Sequence, residues 1–138
     1  MKKITWDNSY SVGVRMLDDQ HREIIDVVNL LIMDPYKNVN SDTVQEALMR
    51  LKKFALEHFE TEEMLLELHG YPDYAAHKQE HNDFTEALGG FCMDTLKERP
   101  EVPKKLMLFV RDWWDDHILV EDMKFSTFLK QEVSHGGG

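Results

Sequence analysis

The chain of 138 residues has one cysteine, four prolines and no long apolar run. Because a disulfide needs two cysteines, Cys92 cannot form one within the chain, and a cysteine-rich metal site is excluded as well. No apolar stretch approaches the roughly 18 residues that a transmembrane helix requires, and the first residues lack the apolar core of a secretory signal. These absences predict a cytoplasmic protein without structural disulfides.

Positive charge is also scarce, since 16 Lys and Arg residues stand against 26 Asp and Glu residues, for a formal net charge of -10. Such a chain repels the phosphates of nucleic acids and the anionic headgroups of membranes, so neither is predicted as a partner. The length and the 42% of apolar residues suit one globular domain. We therefore expect a single soluble domain.

The apolar residues recur with the spacing of helices, and no segment has the alternation of a strand. Residues 1–17 predict a non-helical arm that buries Trp6. Four helices are predicted after it: the first is capped by Asp18 or Asp19 and ends at Pro35, the second spans about 41–70, the third starts near 72–73 and stops before 99–100, and the fourth runs from about Pro103 towards Val133. Residues 134–138 predict a flexible tail.

The loops between these helices are short, and short loops join antiparallel neighbours. The predicted fold is therefore all-α, an up-down-up-down antiparallel four-helix bundle formed by residues 18–133. With the arm, the predicted domain covers residues 1–133.

Histidine is abundant, with seven residues, and several of them form spaced pairs. His77 and His81 are four residues apart, so both imidazoles project from one stripe of the third helix. His58 and Glu62 repeat this spacing on the second helix. Histidines on an inward face are costly to bury without partners, and a bound metal is one common way to supply them.

The fourth helix carries His117 and two carboxylates that could accompany it. Glu121 is four residues away and shares its stripe. Asp122 is five residues away, about 140° around a regular helix, and would need a local π-type widening, or a reach from the edge of the stripe, to join it. Spacing alone leaves both alternatives open.

An alternating bundle brings the start of the first helix, where His21 lies, to the same end as these pairs. Five imidazoles and two carboxylates exceed the four to six ligands that one ion takes. Two metal ions are therefore predicted. If two carboxylates bridge them and one oxygen atom is shared, one coordination position stays open, where a small ligand can bind.

In type, order and spacing these residues resemble the hemerythrin family, in particular its bacterial branch. The likeness starts at the arm with Trp6, includes residues 18–21, and covers essentially the whole chain before the tail. It implies a non-haem di-iron site that binds dioxygen reversibly, and it favours Asp122 over Glu121.

The resemblance also implies a role for each ligand. Glu62 and Asp122 would bridge two iron ions that share an oxo or hydroxo oxygen. The closed iron would bind three histidines, and the iron with the vacancy would bind His21 and His58. The complete implied ligand set is His21, His58, Glu62, His77, His81, His117 and Asp122. The apolar residues that could wall the oxygen pocket are Phe59, Ile118, Trp113, Trp114 and Trp6, of which Phe59 and Ile118 directly follow a ligand.

Two enzyme classes compete with this interpretation. A ferritin-like di-iron oxidase would need two Glu-x-x-His motifs on its helices, whereas the one present here joins Glu132 to His135 in the tail. Residues 77–81 also fit the signature of inverted zinc proteases, with Glu80 as the base. That role would leave five convergent ligands unused, and Glu80 is better interpreted as a solvated helix residue.

The hemerythrin resemblance implies binding rather than catalysis, with dioxygen as the ligand and nitric oxide left open as a second one. Within it, two roles are compatible with the sequence. The chain could serve oxygen transport, storage or delivery, which we favour. Alternatively, it could be an oxygen-sensing domain excised from a larger signalling protein, whose signalling module would follow the glycine tail.

Overall fold

The computed structural model describes residues 2–34 and 38–136, with side chains described up to residue 131. Within these ranges the chain is helical and contains no strand. A short 3-10 turn in the arm, Asn8–Tyr10, precedes helices α1 (Arg15–Met33), α2 (Asp42–Leu68), α3 (Tyr74–Leu96) and α4 (Val102–Asp112). The last of these continues without a break into a π-helical segment (Trp113–Asp122) and then into α5 (Met123–Gly136).

The helices pack as a four-membered bundle. Helix α2 lies against α1 and α3, and α4 lies against α1 and α3, so that each helix has two neighbours. This arrangement confirms the predicted all-α four-helix bundle. No helix among the described residues is long and apolar enough to cross a membrane.

Two predicted helix boundaries need correction. Helix α1 begins at Arg15, with Val14 as its N-cap, so the prediction that Asp18 or Asp19 caps this helix was wrong. The carboxylate of Asp18 instead accepts hydrogen bonds from the hydroxyl of Ser11 and the backbone N–H of Val12, and therefore fastens the arm to the helix. The predicted helix end at Pro35 lies outside the described residues.

At the other end, α5 reaches Gly136, three residues beyond the predicted end at Val133. The predicted tail therefore starts later than expected, and its last two residues, 137 and 138, lie outside the described part. The side chains of Glu132 and His135, which formed the competing Glu-x-x-His motif, are also outside it.

The arm lies across the bundle, as the sequence predicted. Asn29 on α1 accepts a hydrogen bond from the backbone N–H of Ile4 and donates one to its carbonyl, both at 2.8 Å. Further along, the hydroxyl of Ser126 donates to the carbonyl of Val12 at 2.9 Å. Since Ile4 and Val12 are also buried, the arm forms part of the core. Trp6 is only half-buried, so the prediction that the arm buries it was wrong.

The apolar interior is divided into two clusters. The larger includes Ile24 and Ile118, and the smaller includes Leu17 and Phe125. Along α1, and along the last helix formed by α4, the π-helical segment and α5, the predicted metal ligands lie between residues of the larger cluster and residues of the smaller one. The buried polar residues therefore occupy a layer that has apolar packing above and below it.

Candidate metal centre

The structure brings all seven predicted ligand residues into this layer. Each is at most 2% exposed: His21, His58, Glu62, His77, His81, His117 and Asp122. Their donor atoms form two sets, and within each set the atoms lie within 4.8 Å of one another. We call His77, His81 and His117 the three-histidine group, and His21 and His58 the two-histidine group.

Glu62 lies between the two groups. Its Oε1 atom contacts the Nε2 atom of His77 and lies 3.2 Å from Nε2 of His81. Its Oε2 atom lies 3.1 Å from Nε2 of His58. One carboxylate thus presents a separate oxygen to each histidine group.

Asp122, at the end of the π-helical segment, likewise directs one oxygen to each histidine group. Its Oδ1 atom lies 2.9 Å from Nε2 of His77 and 3.1 Å from Nε2 of His117. Its Oδ2 atom lies 2.9 Å from Nε2 of His21 and 3.8 Å from Nε2 of His58. The two histidine groups therefore share both carboxylates.

The π-helical segment explains how Asp122 reaches the layer. It ends at Asp122, and its wider turn allows His117 and Asp122 to face the same way despite their spacing of five. Glu121 is partly exposed and pairs with Lys124 at 3.2 Å. Of the two alternatives that spacing left open, the structure places Asp122 in the layer.

Several polar atoms in the layer make no hydrogen bond of acceptable geometry among the described residues, although most of them lie close to an atom of opposite charge. They include both ring nitrogens of His21, Nε2 of His58, Oε2 of Glu62 and both carboxylate oxygens of Asp122. Buried polar atoms without partners are costly, and a cation bound by these lone pairs would satisfy them. Imidazole nitrogens with carboxylate oxygens form a donor set that suits iron and other first-row transition metals. The residues present therefore fit a metal.

The electrostatics of the layer lead to the same conclusion. Burial alone would lower the pKa of His58, but the charges and hydrogen bonds of Glu62 and Asp122 together outweigh burial and raise that pKa to about 9. Burial likewise opposes the charged form of His117, yet Asp122, Glu62 and Glu80 together raise its pKa to about 11. Without metal, protons on the histidines neutralise the two carboxylates, so a cation would replace protons that the layer already attracts.

The carboxylates respond in the opposite direction. Burial and the charge of Asp122 would raise the pKa of Glu62, but the neighbouring histidines His58 and His117 hold it well below its usual value. His117 has the same effect on the pKa of Asp122, against the effect of burial. Both bridging candidates are therefore ionised, which is the form that binds a metal.

Three side chains outside the layer contact the outer nitrogens of its histidines, and the sequence did not reveal them. Gln20 lies 2.7 Å from Nδ1 of His58, and Glu63 lies 2.9 Å from Nδ1 of His81. Glu80, interpreted from the sequence as a solvated helix residue, is 42% exposed and also lies 3.5 Å from Nδ1 of His117. Each of the three is next to a predicted ligand in sequence, which is the signal that could have found them.

Aromatic rings stack on three of the histidines. Phe59 stacks on His81 with centroids 4.0 Å apart, and Trp113 stacks on His117 at 3.9 Å. Phe54, which the sequence did not single out, stacks on His58 at 4.7 Å. These stacks fix the ring planes, and Phe59 and Trp113 lie on the three-histidine side rather than the side predicted to hold the vacancy.

Two of the other predicted pocket residues contact Tyr10 of the arm. Trp6 packs on Tyr10 and under the guanidinium of Arg22, and Trp114 also packs on Tyr10. Ile118 is 1% exposed and belongs to the larger apolar cluster. The roles of Trp6, Trp114 and Ile118 as walls of the oxygen pocket stay predictions.

The fold and this layer define an all-α bundle protein with an interior able to hold metal ions. Residues 12–129 match the model of the hemerythrin HHE cation binding domain. The chain therefore belongs to the hemerythrin family, which confirms the resemblance seen in its sequence.

Individual relatives agree with this assignment. The chain is 36% identical over 134 residues to a bacteriohemerythrin of Methylococcus capsulatus, covering 94% of this chain and 98% of the relative. It is 30% identical over 124 residues to a hemerythrin of Sipunculus nudus, covering 90% and 92%. A crystal structure of a hemerythrin point mutant superposes with a TM-score of 0.80 at 31% identity, over 94% of this chain and 98% of that one.

Proposed function

We propose that the protein binds dioxygen reversibly at a di-iron centre built from the seven buried residues. The observation that carries this proposal is the division of the two shared carboxylates: Glu62 and Asp122 each direct one oxygen to each histidine group. Two cations held at short distance need such shared anions to offset their mutual repulsion. A single ion would leave one of the two histidine groups without a partner.

The two positions differ in their number of donors. Three imidazoles serve one position, whereas His21 and His58 alone serve the other. If both metals have the same coordination number, the two-histidine position has a vacancy, and we assign ligand binding to it. When bound, the iron pair supplies the electrons and the open position that dioxygen binding requires.

The residues of the chain would hold the metal ions and keep water away from them. Glu62 and Asp122 keep their negative charge inside the bundle because the histidines lower their pKa. The layer is closed to water, since its members are at most 2% exposed and apolar clusters pack on both sides. Exclusion of water and of protons favours release of the ligand unchanged over its loss in a side reaction.

This proposal concerns binding and not catalysis, and oxygen transport, storage or delivery is the role we assign. The cytoplasmic location and the alternative role as the sensing domain of a signalling protein remain predictions. Binding of nitric oxide as a second ligand is also a prediction.

Alternating air and vacuum tests the proposal. Protein loaded with ferrous iron without oxygen should gain a visible absorption band in air and lose it under vacuum, over several cycles. Replacement of His58 with Gln should abolish the band, because one of the two imidazoles at the open position is lost. The matched control is His69→Gln, because His69 lies at the C-cap of α2 and is not among the seven. A band that never reverses would contradict the proposal.

A further inference from the structure

We propose that Glu63 and Glu80 are positioning residues that make the three-histidine position the more strongly electron-donating of the two, whereas Gln20 leaves the two-histidine position without such support. This inference rests on the proposed di-iron function, and it concerns the outer nitrogens of the histidines, which do not face the carboxylates of the layer.

The strongest contact is that of Glu63. Its Oε2 atom accepts a hydrogen bond from Nδ1 of His81 at 2.9 Å, while Nε2 of the same ring lies 3.2 Å from Oε1 of Glu62. The outer hydrogen bond keeps the proton of a neutral imidazole on Nδ1 and leaves the Nε2 lone pair free for a metal. Glu63 is itself 21% exposed, and its other oxygen lies 4.0 Å from Lys78, so water and one cation moderate its charge.

Glu80 makes a weaker contact with a second ring of this group, an ion pair without hydrogen-bond geometry. Its Oε2 atom lies 3.5 Å from Nδ1 of His117, and the ring is held in plane by the stacked indole of Trp113. Because Glu80 is 42% exposed and the distance is longer, its effect should be smaller than that of Glu63.

The outer nitrogens of the two-histidine group have different surroundings. The outer nitrogen of His58 contacts the amide oxygen of Gln20 at 2.7 Å, which fixes the ring in the same way but adds no charge. The outer nitrogen of His21 has no hydrogen-bond partner among the described residues. Among the described residues, a carboxylate therefore accepts a hydrogen bond from one ring of the three-histidine group and a second carboxylate lies close to another ring, whereas the outer nitrogens of the two-histidine group have no such carboxylate contact.

The chemical consequence follows from the charge. A carboxylate that accepts the Nδ1 proton increases the electron density at Nε2 and makes the imidazole a stronger donor than an amide acceptor would. Stronger donors favour the more highly charged ion. The three-histidine position should therefore bind metal more tightly and hold the ferric state more firmly, while the two-histidine position is filled later and reduced more easily.

Titration of metal-free protein with Co²⁺ in the absence of oxygen tests this inference, because cobalt spectra report each position without redox chemistry. The wild type should show two successive binding steps. Glu63→Gln keeps the shape and an acceptor but removes the charge, and should weaken the tighter step by about ten- to a hundredfold. Glu80→Gln should weaken it less. Glu60→Gln, the same change at an exposed position of α2, is the control and should weaken neither step.

The reciprocal variant separates an effect on electron donation by the histidine from a purely structural effect of the contact. Gln20→Glu should strengthen the weaker step and bring the two affinities closer together, an effect that a purely structural contact would not produce. In iron-loaded protein, the reduction midpoint of the first-filled position should rise in Glu63→Gln and stay unchanged in Glu60→Gln.

The possible failures are distinguishable. If the wild type binds fewer than two metals per chain, the proposed function fails and this inference fails with it. If it binds two, but Glu63→Gln and Glu80→Gln match Glu60→Gln, this inference alone is overturned. If Glu63→Gln does not fold, Gln20→Glu decides: unchanged affinities contradict the inference, and converging affinities support it.

Discussion

The Nε2 atom of His117 lies 3.1 Å from Oδ1 of Asp122, five residues further along the same helix. On a regular α-helix these side chains would point about 140° apart. The π-helical segment that contains both residues brings positions i and i+5 onto one face, and such distortions are often found at functional sites. The helix is therefore widened at the point where the second shared carboxylate is needed.

Replacement of Asp122 by Asn should reduce the iron content from two ions to one or none per chain. The amide removes the charge that both histidine groups share and leaves one fewer oxygen ligand. The control is Glu121→Gln, because Glu121 is partly exposed and pairs with Lys124. Iron analysis after anaerobic loading measures both variants. Two tightly bound ions in Asp122→Asn would refute the bridging role.

Replacement of Ile118 by Thr should shorten the time for which the air-exposed, iron-loaded protein stays reversible, by about tenfold. Ile118 is buried and follows His117, so a hydroxyl there would admit water or a proton donor close to the site. The decay of the visible band in air is the measurement. Val120→Thr is the control, since Val120 is 46% exposed. Equal lifetimes of the two variants would remove Ile118 from the pocket wall.

Removal of metal should lower the unfolding temperature. The seven ligands come from every helix of the bundle, so a bound ion stabilises only the folded chain. At a metal concentration about 100 times the dissociation constant, binding adds about 2.7 kcal/mol, which corresponds to roughly 10 °C for a chain of this size. Calorimetry of loaded and metal-free protein gives the difference. Equal midpoints would mean that the apolar clusters alone hold the bundle.

The stability of metal-free protein should fall as the pH rises from about 6.5 to about 9. Near neutral pH, His58 and His77 hold protons in the folded state, where their pKa values are about 9, against a usual value of 6.5. A raised pKa stabilises the folded chain fully below the unfolded value, and this stabilisation is lost as the pH passes the folded value. His117, with a pKa of about 11, extends the loss to higher pH.

Loaded protein should behave in the opposite way over the same range. There the metal replaces the protons, and metal binding strengthens as the histidines deprotonate. Unfolding midpoints at pH 6.5, 7.5 and 9, with and without iron, test both statements. A flat profile for the metal-free protein would show that the histidines are not paired with the carboxylates in solution.

Much of the site could be predicted because ligand spacing and helix direction are properties of the sequence. His58 with Glu62, and His77 with His81, each lie on one stripe of a helix, and the alternating bundle brings them to the same layer. Spacing left Asp122 as one of two candidates for the carboxylate that accompanies His117. It could not decide between them, because a local widening of a helix depends on tertiary packing and not on local periodicity.

Other features depend on what a side chain meets in the folded molecule. Aspartate is a residue type that often caps helices, but the carboxylate of Asp18 accepts a hydrogen bond from the arm, and the helix begins earlier, at Arg15. Glu63 and Glu80 look like ordinary surface residues of charged helices, and their contacts with histidines of neighbouring helices follow from the rotation of one helix against another. Trp6 was expected to be buried by the arm, whereas it is half-buried and packs on Tyr10.

Diffraction at the iron absorption edge, from crystals of the loaded protein, tests the central claim most directly. Two anomalous peaks are expected about 3.5–4 Å apart, one beside His77, His81 and His117 and the other beside His21 and His58, with Glu62 and Asp122 between them. A single peak, or peaks outside this layer, would contradict the assignment of a shared two-iron centre.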